Sequence, residues 1–198
     1  MLDHLLVHLI STIRTSFEEA LLQRQAVEER FGVDVFLGDV SWETSYSLPG
    51  EEQPPRVRAD LSVDWPTWSQ TSYRSWSIGE SPDEMPEVIF EVALRVQRLS
   101  AAPDPEVVLQ ALPDANPLFG DDALTRTATT IEQVHSGSRL RWAVEATYEG
   151  SIRFTESQLE RPEEIAPVIG QLTRWISSTL ISLADLPFSF LAPDEDDE

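Results

Sequence analysis

One pattern of residues is found twice in the chain, as Ser81-Pro82-Asp83-Glu84-Met85-Pro86-Glu87-Val88-Ile89 and as Arg161-Pro162-Glu163-Glu164-Ile165-Ala166-Pro167-Val168-Ile169. Each version places a Pro in what would be the first turn of a helix, where its missing N–H is not needed. Two acidic residues follow, and negative charge is stabilised at the positive end of a helix dipole. Each version then runs through Val-Ile into an apolar stripe. The pattern predicts helices at residues 85–100 and at about 163–184.

A strand is predicted ahead of each of these helices. Residues 57–65 and residues 140–148 alternate apolar and polar side chains with a period of two, as half-buried strands do. The strands lie 83 positions apart and the helix starts 80 positions apart, so one copy carries a small gap. Repeated strand-then-helix order favours an internal duplication. The alternative is that any α+β chain of this length offers similar pairs.

The remaining pattern completes an α+β fold, with an N-terminal long helix followed by two duplicated βββα units with antiparallel sheets. Residues 2–31 are predicted to form the long helix, ending at Gly32. Strands at residues 33–48, 57–65 and 68–78 precede the first of the two repeated helices. A short helix at residues 106–112, capped by Asp104, and strands at residues 123–134, 140–148 and 151–158, with a turn at Glu149-Gly150, precede the second.

Three segments follow from this reading. Residues 1–100 hold the N-terminal helix and the first unit, and residues 101–185 hold the short helix and the second unit. Residues 186–198 hold an apolar segment and an acidic tail, Asp194 to Glu198, that is expected to be disordered. The apolar segment is too short for a helix of its own and is expected to dock in a groove or on a partner.

The charge of the chain restricts its partners. The net charge is −21, and all 14 basic residues are Arg. Direct binding of nucleic acid needs a basic surface, so the sequence argues against it. The same charge would attract a basic protein partner, although adaptation to salt would also explain it. With no Lys and no Cys, Schiff-base chemistry, thiolate chemistry and Cys-ligated metals are excluded.

No motif for catalysis, cofactor binding or metal binding emerges from the sequence. The eight Gly are scattered as turn residues would be, and no phosphate-binding loop or nucleophile motif is present. His4 and His8 lie one helical turn apart but have no evident third metal ligand, and His135 follows a predicted strand without evident partners. We therefore expect a protein that is not an enzyme and has no cofactor.

Aromatic residues are the candidates for partner contact, because Trp is enriched at binding hot spots. Four Trp fall in the predicted first sheet and two Phe in the apolar C-terminal segment. The alternative for the Trp residues is a core between sheet and helix. The candidate residues are Trp42, Trp65, Trp68, Trp76, Phe188 and Phe190.

The sequence thus predicts a non-enzymatic, cytoplasmic protein-binding module, such as an adaptor, a chaperone or an immunity-type inhibitor. Its partner would be a basic or partly apolar protein. Neither direct binding of nucleic acid nor association with a membrane is expected. One alternative is a DNA-mimic decoy, which requires acidic residues spaced along one exposed face instead of clustered in loops and the tail. Another is a structural subunit of a larger assembly that uses residues 2–31 for helix contacts.

Overall fold

One antiparallel sheet organises the described part of the chain. The computed structural model describes residues 4–20, 30–34, 36–113, 115–119, 122–136 and 139–193. The strands in these ranges are Arg30–Val33 (β1), Val40–Ser47 (β2), Val57–Trp65 (β3), Glu87–Leu99 (β4), Ala115–Phe119 (β5), Asp122–Ser136 (β6) and Arg139–Arg153 (β7). They form a seven-stranded sheet in the order β1-β2-β3-β4-β7-β6-β5. Strands from both predicted units therefore join one sheet, through the pairing of β4 with β7.

The helices accompany this sheet in an α+β arrangement. They are His4–Glu19 (α1), Thr67–Ser77 (α2), Pro105–Ala111 (α3), Glu156–Glu160 (α4) and Ala166–Ala184 (α5), and a 3-10 turn at Pro162–Ile165 leads into α5. None of the helices in the described ranges combines the length and the hydrophobicity that a membrane span requires.

The core lies between one face of the sheet and the helices α1 and α5. Leu61 of β3 and Val92 of β4 are almost fully buried on this face, as are Leu9 of α1 and Leu172 of α5. Helix α5 contacts both strands and α1. Each fully buried side chain of this kind stabilises the fold by about 1.5–3 kcal/mol. The strict alternation of β3 that the sequence shows is the direct cause of this one-sided burial.

The predicted strand at residues 68–78 is wrong, because helix α2 occupies Thr67–Ser77. Pro66 is the N-cap of this helix. Ser69 is fully buried, and its hydroxyl accepts a hydrogen bond from the indole N–H of Trp65 at 2.9 Å. Tyr73 also packs near the Trp65 ring, with ring centroids 5.7 Å apart. Ser69 and Tyr73 are four residues apart, so one face of α2 makes both contacts with Trp65.

The predicted helix at residues 85–100 is also wrong, because strand β4 runs through it. Its apolar residues fit both periods, but four of them are β-branched and suit a strand. The second copy of the pattern does lead into a helix, α5. The two versions therefore begin different elements, since Pro82 lies in the loop before β4 and Pro162 begins the 3-10 turn before α5. The duplicated βββα arrangement is not confirmed.

Other boundaries differ in detail. Helix α1 is described from His4 to Glu19 only, and Gly32 lies within β1 instead of ending a helix. Strand β7 continues through the predicted turn at Glu149-Gly150, and residues 156–160 are helical. The predictions for β3 and for the Asp104 cap are confirmed, since the Asp104 carboxylate accepts the Glu106 amide at 3.0 Å. The acidic tail at residues 194–198 lies outside the described residues.

Candidate functional site

Two of the six candidate contact residues lie in the core. Trp42 of β2 is 0 % exposed and Trp65 of β3 is 1 % exposed. Their side chains fill the space under the helices, as the core interpretation of the Trp residues expects. In this conformation neither indole ring has surface available to a partner.

The other two Trp candidates lie on α2. Trp68 is exposed over 41 % of its surface, whereas Trp76 is half-buried and stacks on Tyr73 at 6.0 Å between ring centroids. The Trp68 ring is therefore open to a partner, and a partner contact by either residue stays a prediction. The sequence placed both residues on a strand of the same predicted sheet as Trp42, and the structure instead places them on a helix.

Phe188 and Phe190 belong to a C-terminal segment that docks on the chain itself. The segment continues past α5 and lies beside the end of β4, where the Ser100 amide donates to the Ser189 carbonyl at 2.9 Å. The Leu191 amide donates to the Arg98 carbonyl at 2.7 Å. Both Phe rings pack against the core and stay half-buried. The expected groove is thus provided by this protein's own sheet, and a further contact with a partner is a prediction.

The second face of the sheet carries a row of polar residues that the sequence reasoning missed. In the register of the strands, Glu43 of β2 is opposite Ser62 of β3, which is opposite Glu91 of β4. Glu91 is in turn opposite Glu149 of β7. Glu43, Glu91 and Glu149 are all exposed to solvent. Three carboxylates therefore cross the sheet on one line, on the face opposite the core.

Further acidic residues flank this row. Asp64 lies next to it on β3, and Asp60 lies on its other side along the same strand. Asp60 is paired with Arg58 at 2.9 Å, and Glu145 of β7 with Arg95 at 2.8 Å. Arg58 and Arg95 thus balance one end of this face, and Arg30 lies opposite Glu43 at the edge of the sheet. The negative charge is therefore concentrated at Glu91, Glu149 and Asp64.

The electrostatics of two carboxylates record this crowding. Partial desolvation within the sheet raises the pKa of Glu91 above its ordinary value, although its side chain still reaches solvent, and the charges of Glu149, Asp64, Glu145 and Glu43 raise it further. The pKa of Asp64 is raised most by burial and then by the charges of Glu43 and Asp39. A hydrogen bond from Ser62 lowers the pKa of Asp64 but does not outweigh these effects. In both cases the neighbouring charges oppose ionisation, which is typical of like charges held on adjacent strands.

The β1–β2 hairpin exposes apolar side chains at the edge of the sheet, and those of β1 lie on the helix side because they alternate with Arg30, which is on the side of the acidic row. Arg30 of the edge strand β1 is opposite Glu43, and Phe31 and Val33 of β1 are 50 % and 65 % exposed. The turn between β1 and β2 exposes Phe36 almost completely. Large apolar side chains grouped in this way are typical of protein interaction surfaces. The side chain of Thr67 donates to the Leu37 carbonyl, so this turn lies beside the start of α2, where Trp68 is exposed.

Nothing in the described ranges forms a metal centre. No three His, Asp or Glu side chains there come together in a way that could hold an ion. His8 lines a groove of about 600 Å³ between α1 and the start of α5, whose other walls are mostly Ser, Thr and Ala side chains. His4 and His135 are exposed.

The alternation of the strands could have revealed the acidic face. In β3, Asp60, Ser62 and Asp64 occupy every second position between buried residues, and in β4 Glu91 does so. What the sequence could not supply is the order of the strands, which aligns these residues. The chain matches no protein-family model, no curated protein and no solved structure.

Proposed function

We propose that this protein is a non-enzymatic binding module that holds a basic, partly apolar protein partner on the exposed face of its sheet. The observation that carries the proposal is the row of Glu43, Glu91 and Glu149 on that face. A net charge of −21 would add long-range attraction of a basic partner.

The energetics of the row support a role in binding. Like charges directly opposite in an antiparallel pair destabilise the sheet, and Glu91 and Glu149 are such a pair, with Cα atoms about 5 Å apart. An uncharged polar pair would avoid this cost. A Lys or Arg side chain from a partner would convert the repulsion into ion pairs, so the cost in the free protein becomes affinity in the complex.

The surface beside the row suits the apolar part of such a partner. Phe31 and Val33 alternate with Arg30 along β1, so they point to the helix side of this edge strand, and Phe36 is exposed in the turn that follows. A partner that reaches around this edge would contact both these apolar side chains and Glu43. Apolar anchors supply most of the affinity of protein interfaces, whereas charges mainly supply rate and specificity. The hairpin and the acidic row together would recognise a segment with basic and apolar side chains.

The experiment compares two variants that remove the same charge from different places. The sheet-face variant carries Glu43→Gln, Glu91→Gln and Glu149→Gln. The loop variant carries Glu80→Gln, Asp83→Asn and Glu84→Gln, which are exposed residues of the loop before β4. Each variant loses three negative charges, so the overall attraction of basic proteins is the same for both.

Immobilised wild type and both variants are incubated with lysate of the native host, and retained proteins are identified by mass spectrometry. We expect a basic protein that the wild type and the loop variant retain and that the sheet-face variant loses. Equal retention by both variants would contradict the proposal, and so would the absence of any specifically retained protein.

A DNA-mimic decoy is the second candidate, because acidic residues do lie along one exposed face. The spacing of the carboxylates on this face argues against the decoy, because it is wider than the spacing of phosphates along DNA. Strands are spaced about 4.8 Å apart, so Glu43 and Glu149 are about 14 Å apart with one carboxylate between them in the row. Duplex DNA carries a charge about every 1.7 Å of its axis. If the retained partner binds duplex DNA and DNA displaces it from this protein, the decoy explanation is favoured.

A further inference from the structure

A second cavity lies at the end of the sheet away from the acidic row. It has a volume of about 470 Å³ and is lined by residues 48–52 of the β2–β3 loop, by Arg56 and by Arg98. The Arg56 guanidinium lies 5.3 Å from the centre of the Phe190 ring, so the docked C-terminal segment supports this side of the cavity. The cavity thus combines two arginines in a protein that is otherwise strongly acidic.

Arg98 is the unusual residue of this cavity. It is only 6 % exposed, yet its Nε and Nη1 atoms are buried without a hydrogen-bond partner. Its backbone has a φ of 62°, in the left-handed region, at an irregularity in the pairing of β4 with β7. A buried charge without acceptors destabilises the fold, and so does a buried polar group left unpaired. The site therefore carries both strain and unmet hydrogen-bonding capacity.

The acidic residues of the cavity do not accept hydrogen bonds from the unpaired nitrogens of Arg98. The Glu51 carboxylate is already occupied, since it accepts the Arg56 backbone amide at 2.6 Å and the Arg56 Nε at 3.0 Å. It also accepts the Val57 amide at 3.3 Å. Glu52 is exposed at the rim. These contacts fix the loop and leave the Nε and Nη1 of Arg98 without an acceptor.

The electrostatic surroundings of Arg98 also disfavour its positive charge. Burial lowers the pKa of Arg98, and the positive charges of Arg56 and Arg141 lower it further. The negative charges of Glu51 and Glu52 raise the pKa of Arg98 but do not outweigh the lowering. Arginine stays protonated in proteins even so. A bound anion would offset both the burial of the charge and the proximity of the three guanidinium groups.

We propose that this cavity binds an oxyanion, a carboxylate or a phosphate, with Arg98 as the buried donor and Arg56 as the donor at the rim. Arginine is suited to these groups because its planar fork of N–H donors matches their oxygens. The site is separate from the proposed partner surface, so its test does not depend on that function.

The oxyanion has two possible sources that the experiment separates. One is a separate ligand. The other is the chain itself, because Leu191 is hydrogen-bonded to Arg98 and the five acidic residues from Asp194 to Glu198 begin three positions later. Both sources present the same chemistry to the arginines.

The test follows the side-chain Nε–H signals of arginine by ¹⁵N–¹H NMR, in the full chain and in a chain ending at Pro193. Inorganic phosphate is titrated into each protein, against sodium chloride of equal ionic strength. We expect the Arg98 signal to move in a saturable manner. If the truncated chain binds phosphate several-fold more tightly and its free signal differs from that of the full chain, the tail is the source. Equal binding by both chains identifies a separate ligand.

Variants locate the binding. Arg98→Met is expected to weaken phosphate binding by about tenfold or more, since it removes the buried donor. Arg153→Met, which removes an arginine with 68 % exposure on the other end of the sheet, is expected to change it less than about twofold. An Arg98 signal that responds neither to phosphate nor to removal of the tail would overturn the proposal, and this result requires no variant to fold. Equal affinities of the two variants would overturn it as well.

Discussion

The substitution Glu91→Gln is expected to stabilise the folded protein at neutral pH. Glu91 lies directly opposite Glu149, and Asp64, Glu145 and Glu43 add repulsion. Like charges in such positions cost between a few tenths and about 1 kcal/mol, and the exposure of Glu91 keeps the value within that range. We expect a gain of about 0.5 kcal/mol in the free energy of unfolding. For a protein of this size, that corresponds to an increase in Tm of about 1–2 °C.

The pH dependence of this gain follows from the direction of the pKa shifts. The folded-state pKa of Glu91 is raised above 4.5 and that of Asp64 above 3.8. A carboxyl group with a raised pKa binds its proton more tightly in the folded than in the unfolded state. The free energy of unfolding therefore falls as the pH rises through the window just above these values. The cost is fully present at neutral pH, so the gain from Glu91→Gln should shrink as the pH is lowered toward 4.5.

The assay is thermal and urea unfolding of the wild type and the variant between pH 7 and about 4.5, at low and high salt. Salt screens exposed charges, so the gain should also decrease as salt increases. Glu84→Gln is the control, because Glu84 is an exposed acid of the loop before β4. Equal gains for both variants, or a gain at Glu91 that is independent of pH and salt, would refute the electrostatic reasoning.

Two further predictions test the packing. Leu9→Glu is expected to unfold the protein, because Leu9 is 0 % exposed and a buried unpaired charge costs several kcal/mol. The control is Val7→Glu on the exposed side of α1, which should leave the circular dichroism and the Tm unchanged. A folded Leu9→Glu variant with the Tm of the wild type would show that the helix is an interface instead of core. Phe190→Ala is expected to lower the free energy of unfolding by about 1–2 kcal/mol in urea, because the half-buried ring packs on the core and lies under Arg56. The control is Phe36→Ala, which should leave the free energy of unfolding unchanged because Phe36 is 96 % exposed. Equal losses for the two Phe variants would contradict the docking of the C-terminal segment.

Local patterns in the sequence predict part of this fold. The alternation of β3 leaves one solution, because five buried positions at a spacing of two cannot lie on one face of a helix. The Asp104–Pro105 pair begins α3 as expected, since an Asp cap and a Pro in the first turn are compatible with few other structures. In both cases the signal depends only on neighbouring residues.

Residues 67–99 show where local patterns fail. The apolar residues of β4 fit a period of two and also helical spacing, and only its pairing with β3 and β7 decides between them. The acidic row needs the same information, because Glu91 and Glu149 are 58 positions apart in the chain. Pairing over such distances depends on how the whole core packs, which no single stretch of sequence records.

The most direct test of the proposed function asks which face of the sheet meets the partner. A photo-crosslinking amino acid is placed at Thr147, beside Glu149 on the acidic face, or at Ser178, an exposed residue of α5 on the opposite side. Each protein is irradiated with the partner that the wild type retains. We predict a crosslink from position 147 that is lost in the sheet-face variant, and little from position 178. Crosslinking from position 178 alone would contradict the assignment of the acidic face as the binding surface.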